Sequence, residues 1–187
     1  MNKIYDDIIT RVLSLEGRWV NDHKDSGGET YMGITRRDFP NWDGWTILDA
    51  IPVKAKRSDE TAEKLTPLVK KFYWDEFYAP MNISLFKSPK VCFEVFDTGV
   101  NMGKVTAAQF LQRVGNVLMI GTPLKVDGKI GKKTAEVINE LTAGPAEESA
   151  VLKALNVLQG YRYFELCEKY PKNERFIRGW LNHRIAL

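Results

Sequence analysis

The sequence predicts a mainly α protein with a small loop or hairpin region in its N-terminal part. Three observations carry this. Apolar residues recur at helical spacing in most segments. The Gly- and Asp-rich composition of a loop is concentrated in residues 18–45. Everything after residue 89 reads as successive helices separated by turn signals.

In residues 2–16, Ile4, Ile8 and Val12 share one face and Tyr5, Ile9 and Leu13 lie beside it, and Gly17 stands where a glycine commonly ends a helix. Residues 18–45 hold Asn21, Asp22, Asp25, Gly27, Gly28 and Gly33, interrupted by Trp19, Val20, Tyr31 and Ile34, which is the composition of a loop with a short hairpin. A helical turn is expected near 47–50 and another after Ser58. Thr66-Pro67 has the pattern of a helix start, with Thr as N-cap and Pro in the first turn, and that helix is expected to stop near Pro80. Ser88-Pro89 opens the next, through about Val100. Further helices are expected over 106–116, 131–142 and 145–170, with a last one from Asn173 and a turn at Asp127-Gly128. The composition shift between Pro80 and Pro89 divides the chain into regions 1–88 and 89–187.

Composition excludes several classes. No apolar run approaches the roughly 20 residues of a membrane span, so membrane insertion is not expected. The chain carries 27 basic and 24 acidic residues, and no lysine- or arginine-rich stripe interleaved with aromatics, so nucleic acid is not an expected partner. Cys92 and Cys167 sit in apolar helical segments and read as core thiols. His23 and His183 make no metal-ligand spacing, and no metal or cofactor is expected. Asp6, Asp7 and Arg11 interrupt the segment where a secretory signal would be apolar, so synthesis in the cytoplasm is expected. The chain is expected to be a monomer.

The most informative residue is Glu16. Extending Ile4, Ile8, Val12 by four lands on it, so a carboxylate stands where the pattern calls for an apolar side chain. In the last turn of its helix the dipole disfavours its anion, and partial burial acts in the same direction. A protonated carboxyl near neutral pH suits a general acid for glycoside cleavage. The bland alternative is a helix-end glutamate reaching solvent or pairing with Arg11 or Arg18. Asp22 and Asp25 follow in the Gly-rich stretch and offer a second, ionised carboxylate; the same residues also serve as turn formers. Thr30 adds a hydroxyl able to orient water.

The run Glu16-Gly17-Arg18-Trp19-Val20-Asn21-Asp22, then Asp25, Gly27-Gly28-Glu29-Thr30 and Gly33-Ile34-Thr35, resembles the signature of glycoside hydrolase family 108. Those are N-acetylmuramidases with a lysozyme-like, two-lobed helical fold, common as bacteriophage endolysins. Arg18 replaces a glycine of the pattern and His23 a proline. Tyr73-Trp74 matches the family's core helix. Phe96-Asp97, Val100-Asn101, Ala107-Ala108, Leu111-Gln112, Asp127-Gly128 and Gly179-Trp180 resemble the peptidoglycan-binding region of these proteins.

The resemblance implies an endolysin that hydrolyses the β-1,4 bond between N-acetylmuramic acid and N-acetylglucosamine in bacterial peptidoglycan, acting on the wall after release. Residues 1–88 would be the muramidase region and 89–187 the peptidoglycan-binding region. Glu16 takes the place of the family's catalytic glutamate; Asp25, with Asp22 as rival, and Thr30 take places similar to the Asp and Thr of phage-type lysozymes. Trp19 and Tyr31, with Trp42 and Trp45, either line the sugar cleft or pack in the core. Asn101 and Gln112 either meet substrate or satisfy backbone groups. A lytic transglycosylase and a non-catalytic wall-binding module are the alternatives.

Overall fold

The computed structural model describes residues 2–15, 17–21, 28–119, 121 and 123–185. The chain forms two compact units, Met1–Glu76 and Phe77–Leu187. As expected, it is mainly helical, with one small sheet in the first unit.

Helix α1, Lys3–Leu15, buries Tyr5, Ile8, Ile9 and Val12, the face its periodicity marks. The Tyr5 ring meets Trp74 edge-on at 5.0 Å and its hydroxyl donates to the Lys70 carbonyl. The sheet is an antiparallel meander of β1 Trp19–Asn21, β2 Glu29–Tyr31 and β3 Ile34–Thr35. Its register pairs Trp19 with Tyr31, Asn21 with Glu29, and Tyr31 with Ile34. The last pair leaves a two-residue turn in which Met32 (φ 44°) and Gly33 (φ 81°) both have positive φ, the tight hairpin geometry that suits twisted strands. Gly33 adopts this freely, whereas Met32 does so at a steric cost. Neighbours hold Met32 there: its N–H donates to the Arg18 carbonyl at 2.7 Å, and its carbonyl accepts from the Tyr73 hydroxyl at 2.8 Å.

Helix α2 is Gly44–Asp49, followed by a 3-10 turn Val53–Arg57 and helix α3, Asp59–Tyr73. Here the structure corrects the expected helix start. Helix α3 opens at Ser58, whose hydroxyl oxygen accepts the Thr61 N–H at 3.2 Å, and Asp59 and Glu60 favour the positive end of the dipole. Pro67 lies inside the helix, exposed, one residue after Thr66, whose hydroxyl donates back to Ala62 O at 2.7 Å. The continuous buried face of Ala62, Leu65, Val69 and Tyr73 carries the helix through the proline. Tertiary burial outweighs the local signal at Thr66-Pro67. The chain continues as one turn of π-helix, Trp74–Tyr78.

The second unit contains α4 Pro89–Met102, α5 Lys104–Leu118, α6 Lys132–Leu141, α7 Pro145–Lys169 and α8 Glu174–Arg184. Ser88 caps α4 by accepting the Val91 N–H at 3.2 Å. Val91, Cys92, Val95, Phe96, Leu111 and Ile138 form its core. Cys92 and Cys167 are free and buried, and burial pushes the Cys92 thiol up to about 11. Helix α8 is fastened inside the unit by Arg184, which donates to Asp97 of α4 at 2.6 Å, and by Trp180 stacked on Tyr163 at 4.7 Å. Among the described residues, no helix is long and apolar enough to cross a membrane.

Candidate functional site

Glu16, Asp22 and Asp25, the three expected catalytic carboxylates, lie outside the described residues, as does His23. Helix α1 runs to Leu15, and the carbonyl of Gly17 accepts the Met32 N–H at 3.1 Å, so the backbone on both sides of position 16 is anchored. Asn21 of β1 pairs with Glu29 of β2.

The alternation of β2 sorts the remaining candidates. Tyr31 and its cross-strand partner Trp19 share one face with Glu29, while Thr30 points to the other face with Val20 and Thr35. Thr30 is half-buried. Tyr31 is fully buried and stacks on Trp42 at 6.0 Å. Its hydroxyl has no hydrogen-bond partner among the described residues, and burial pushes its ionisation up. Trp45 is buried, donates to Phe39 O at 2.8 Å and carries the Arg36 guanidinium 4.5 Å from its ring centre.

A residue given no role from the sequence organises this face. Glu29 Oε1 accepts from Trp19 Nε1 at 2.7 Å and Lys56 Nζ at 2.9 Å, and its Oε2 accepts from Arg36 Nε at 2.8 Å. Arg36 reaches on to Asp49, donating at 2.6 and 3.1 Å. Burial alone would raise the Glu29 carboxyl; hydrogen bonds from Lys56 and Trp19, with the charge of Arg36, hold it below the ordinary carboxylate range. The network fixes the Trp19 indole, which Lys56 and Arg57 also approach at 5.2 and 5.5 Å from the ring centre. The signal was present in the sequence: a charged residue two positions before an apolar one in a strand faces the same side.

A pocket of about 360 Å³ opens on the first unit between residues 38–43 and α3, with Phe39, Trp42 and Phe72 in its walls together with Asp38, Asp43 and Glu76. Trp19, Thr30 and Tyr31 do not line it. Asn101 and Gln112 belong to the second unit. Asn101 donates to the Tyr163 hydroxyl at 2.7 Å. Gln112 is buried and serves the Asp127-Gly128 turn, donating to Asp127 Oδ1 at 2.9 Å and Lys129 O at 3.0 Å while accepting the Gly128 N–H at 3.0 Å. Its amide is thus engaged by protein groups at both ends. Among the described residues, no group of three His, Cys, Asp or Glu side chains can hold a metal ion.

The Glycosyl hydrolase 108 family matches residues 9–103, a span that contains Glu16, the whole sheet and all of α3. The chain belongs to the glycosyl hydrolase 108 family. A second family, described as Predicted Peptidoglycan domain, matches residues 106–185. This glycosyl hydrolase 108 chain is therefore a glycoside hydrolase acting on peptidoglycan, with a peptidoglycan domain in its C-terminal part. The first match crosses the division at Glu76 and ends at Gly103, the residue preceding α5. The fold is shared with the solved structure of Brucella abortus SagA, at 18% identity and a TM-score of 0.57 over 97% of this chain and 96% of that one. It is the mainly α, lysozyme-like class. No curated protein matched the sequence.

Proposed function

We propose that this glycosyl hydrolase is an N-acetylmuramidase that hydrolyses the β-1,4 bond between N-acetylmuramic acid and N-acetylglucosamine. The observation that carries the reading is the family match over residues 9–103, which includes Glu16, Asp22, Asp25 and Thr30. Glu16 protonates the glycosidic oxygen as the bond to the leaving sugar breaks. Asp25, or Asp22 in its place, remains ionised and stabilises the developing oxocarbenium charge or positions the attacking water, with the Thr30 hydroxyl orienting that water. Trp19, held by Glu29, offers an aromatic surface for a pyranose ring. Residues 1–88 form the cleaving region and residues 89–187 the wall-binding region. The resemblance to bacteriophage endolysins extends the role to release of progeny by wall degradation.

Two measurements test this. Turbidity loss of permeabilised bacteria should fall at least about 100-fold in Glu16→Gln, which keeps size and hydrogen bonding but removes the titrating proton. Lysis equal to wild type would reject Glu16 as the acid. Mass spectrometry of the released fragments should show products carrying an added water; 1,6-anhydro products, lighter by one water, would assign a lytic transglycosylase instead.

A further inference from the structure

Much of α7 is buried along its inner side, but one stripe stands in water. Val157, Tyr161 and Phe164 are 62%, 62% and 53% exposed, and their spacing of four and three residues sets them on one face of the helix. A run of apolar side chains exposed to this degree marks an interaction surface more than a single exposed residue does. Beyond it the chain passes Tyr170, 44% exposed, into α8, where Phe176 is 39% exposed.

Charge gathers in the same stretch. Between Lys169 and Arg178 four basic side chains stand against one acidic one, Glu174, an excess of +3; Arg162 and Arg184 on either side are paired with Glu165 and Asp97, and the exposed Glu168 ends the α7 stripe. Lys169 lies 5.3 Å from the Tyr170 ring centre and Arg175 4.5 Å from that of Phe176, so cations and rings are paired. The linear sequence shows no basic stripe because these residues are spaced three apart, at Lys169, Lys172, Arg175 and Arg178. Winding into α8 puts Arg175 and Arg178 on adjacent turns of one face.

We infer that this aromatic and basic surface of α7 and α8 is the face on which the C-terminal unit takes polymeric peptidoglycan. Pyranose rings stack on Tyr161 and Phe164, and stem-peptide carboxylates pair with Lys169, Lys172, Arg175 and Arg178. The inference rests on peptidoglycan being the substrate and names the surface that holds it. Sugar rings present apolar C–H faces and polar edges, which suits exposed aromatic faces. The stem peptides end in carboxylates, the opposite sign to this face. A second copy of the chain fits less well, because a two-fold contact would oppose like charges.

The test is cosedimentation with insoluble sacculi in the Glu16→Gln background, so that retention is read whether or not the chain cleaves. The double variant Tyr161→Ser/Phe164→Ser and the charge variant Lys169→Glu/Arg175→Glu should each raise the apparent Kd at least about tenfold, with wild-type melting temperatures. Added salt should weaken retention of the unaltered face. Wild-type retention by both variants would overturn the inference, as would no retention of the Glu16→Gln chain itself. A dimer in solution that the Ser variant dissociates while retention stays intact would assign the face to self-association instead. If the Ser variant melts early, the charge variant carries the test. Failure of the cleavage reading shows separately, as sacculi retained by the wild-type chain but releasing no reducing ends.

Discussion

Glu29 is the residue on which the geometry of the sheet turns. Its side chain is 14% exposed, with Lys56 at 10% and Arg36 at 32% as its cationic partners. Removing the Glu29 charge leaves Lys56 buried without its carboxylate, while Arg36 keeps Asp49. Glu29→Gln should therefore lower stability by about 2–4 kcal/mol at neutral pH, measured by chemical denaturation. The pH dependence follows from the depressed carboxyl. Above the ordinary value of 4.5, folded and unfolded chains both carry the charge and the stabilisation is complete. As pH falls below 4.5, the unfolded chain takes the proton first, and the advantage over the Gln variant shrinks until the folded carboxyl is also protonated. A gap that widened in acid would contradict the network. Sequence alone picked out Trp19 and Tyr31 as aromatic but left open whether they meet sugar or pack. Strand alternation and burial place the Tyr31 ring in the core, and neither is visible until the register is known.

At the scale of elements, α3 shows where local signals are decisive and where they are not. Ser58→Ala should cost about 1 kcal/mol, since it removes the acceptor of the Thr61 N–H. Pro67→Ala should stabilise by about 1–2 kcal/mol, because it restores an amide donor within the helix and relieves the ring's crowding of the preceding turn. A loss of stability in Pro67→Ala would show that the helix depends on the bend a proline imposes. Thr-Pro usually announces a helix start, and here it misleads. The Ser58-Asp59-Glu60 signal is equally local, but the apolar face from Ala62 to Tyr73 is what joins the two halves into one helix. The helices of the second unit were legible to within a few residues, because Ser88-Pro89 and Pro145 open them and their apolar periods are long. The meander was less legible: three strands of two or three residues carry too little period to count.

At the scale of the whole chain, each unit has its own core and its own fastening. In the second unit the Asp97–Arg184 pair joins the last helix to α4, with side chains 5% and 13% exposed. Arg184→Gln should cost that unit about 3 kcal/mol, read as a shift of its unfolding transition; a change under about 1 kcal/mol would make the pair incidental. The same accounting of buried groups gives the two thiols a use. Cys92 and Cys167 are the only cysteines of the chain, and both belong to the second unit. With Cys92 fully enclosed and its ionisation suppressed, an alkylating reagent can modify it only when the surrounding helices part. Its labelling rate is then a built-in clock for the opening of the second unit, one to which the first unit contributes no signal.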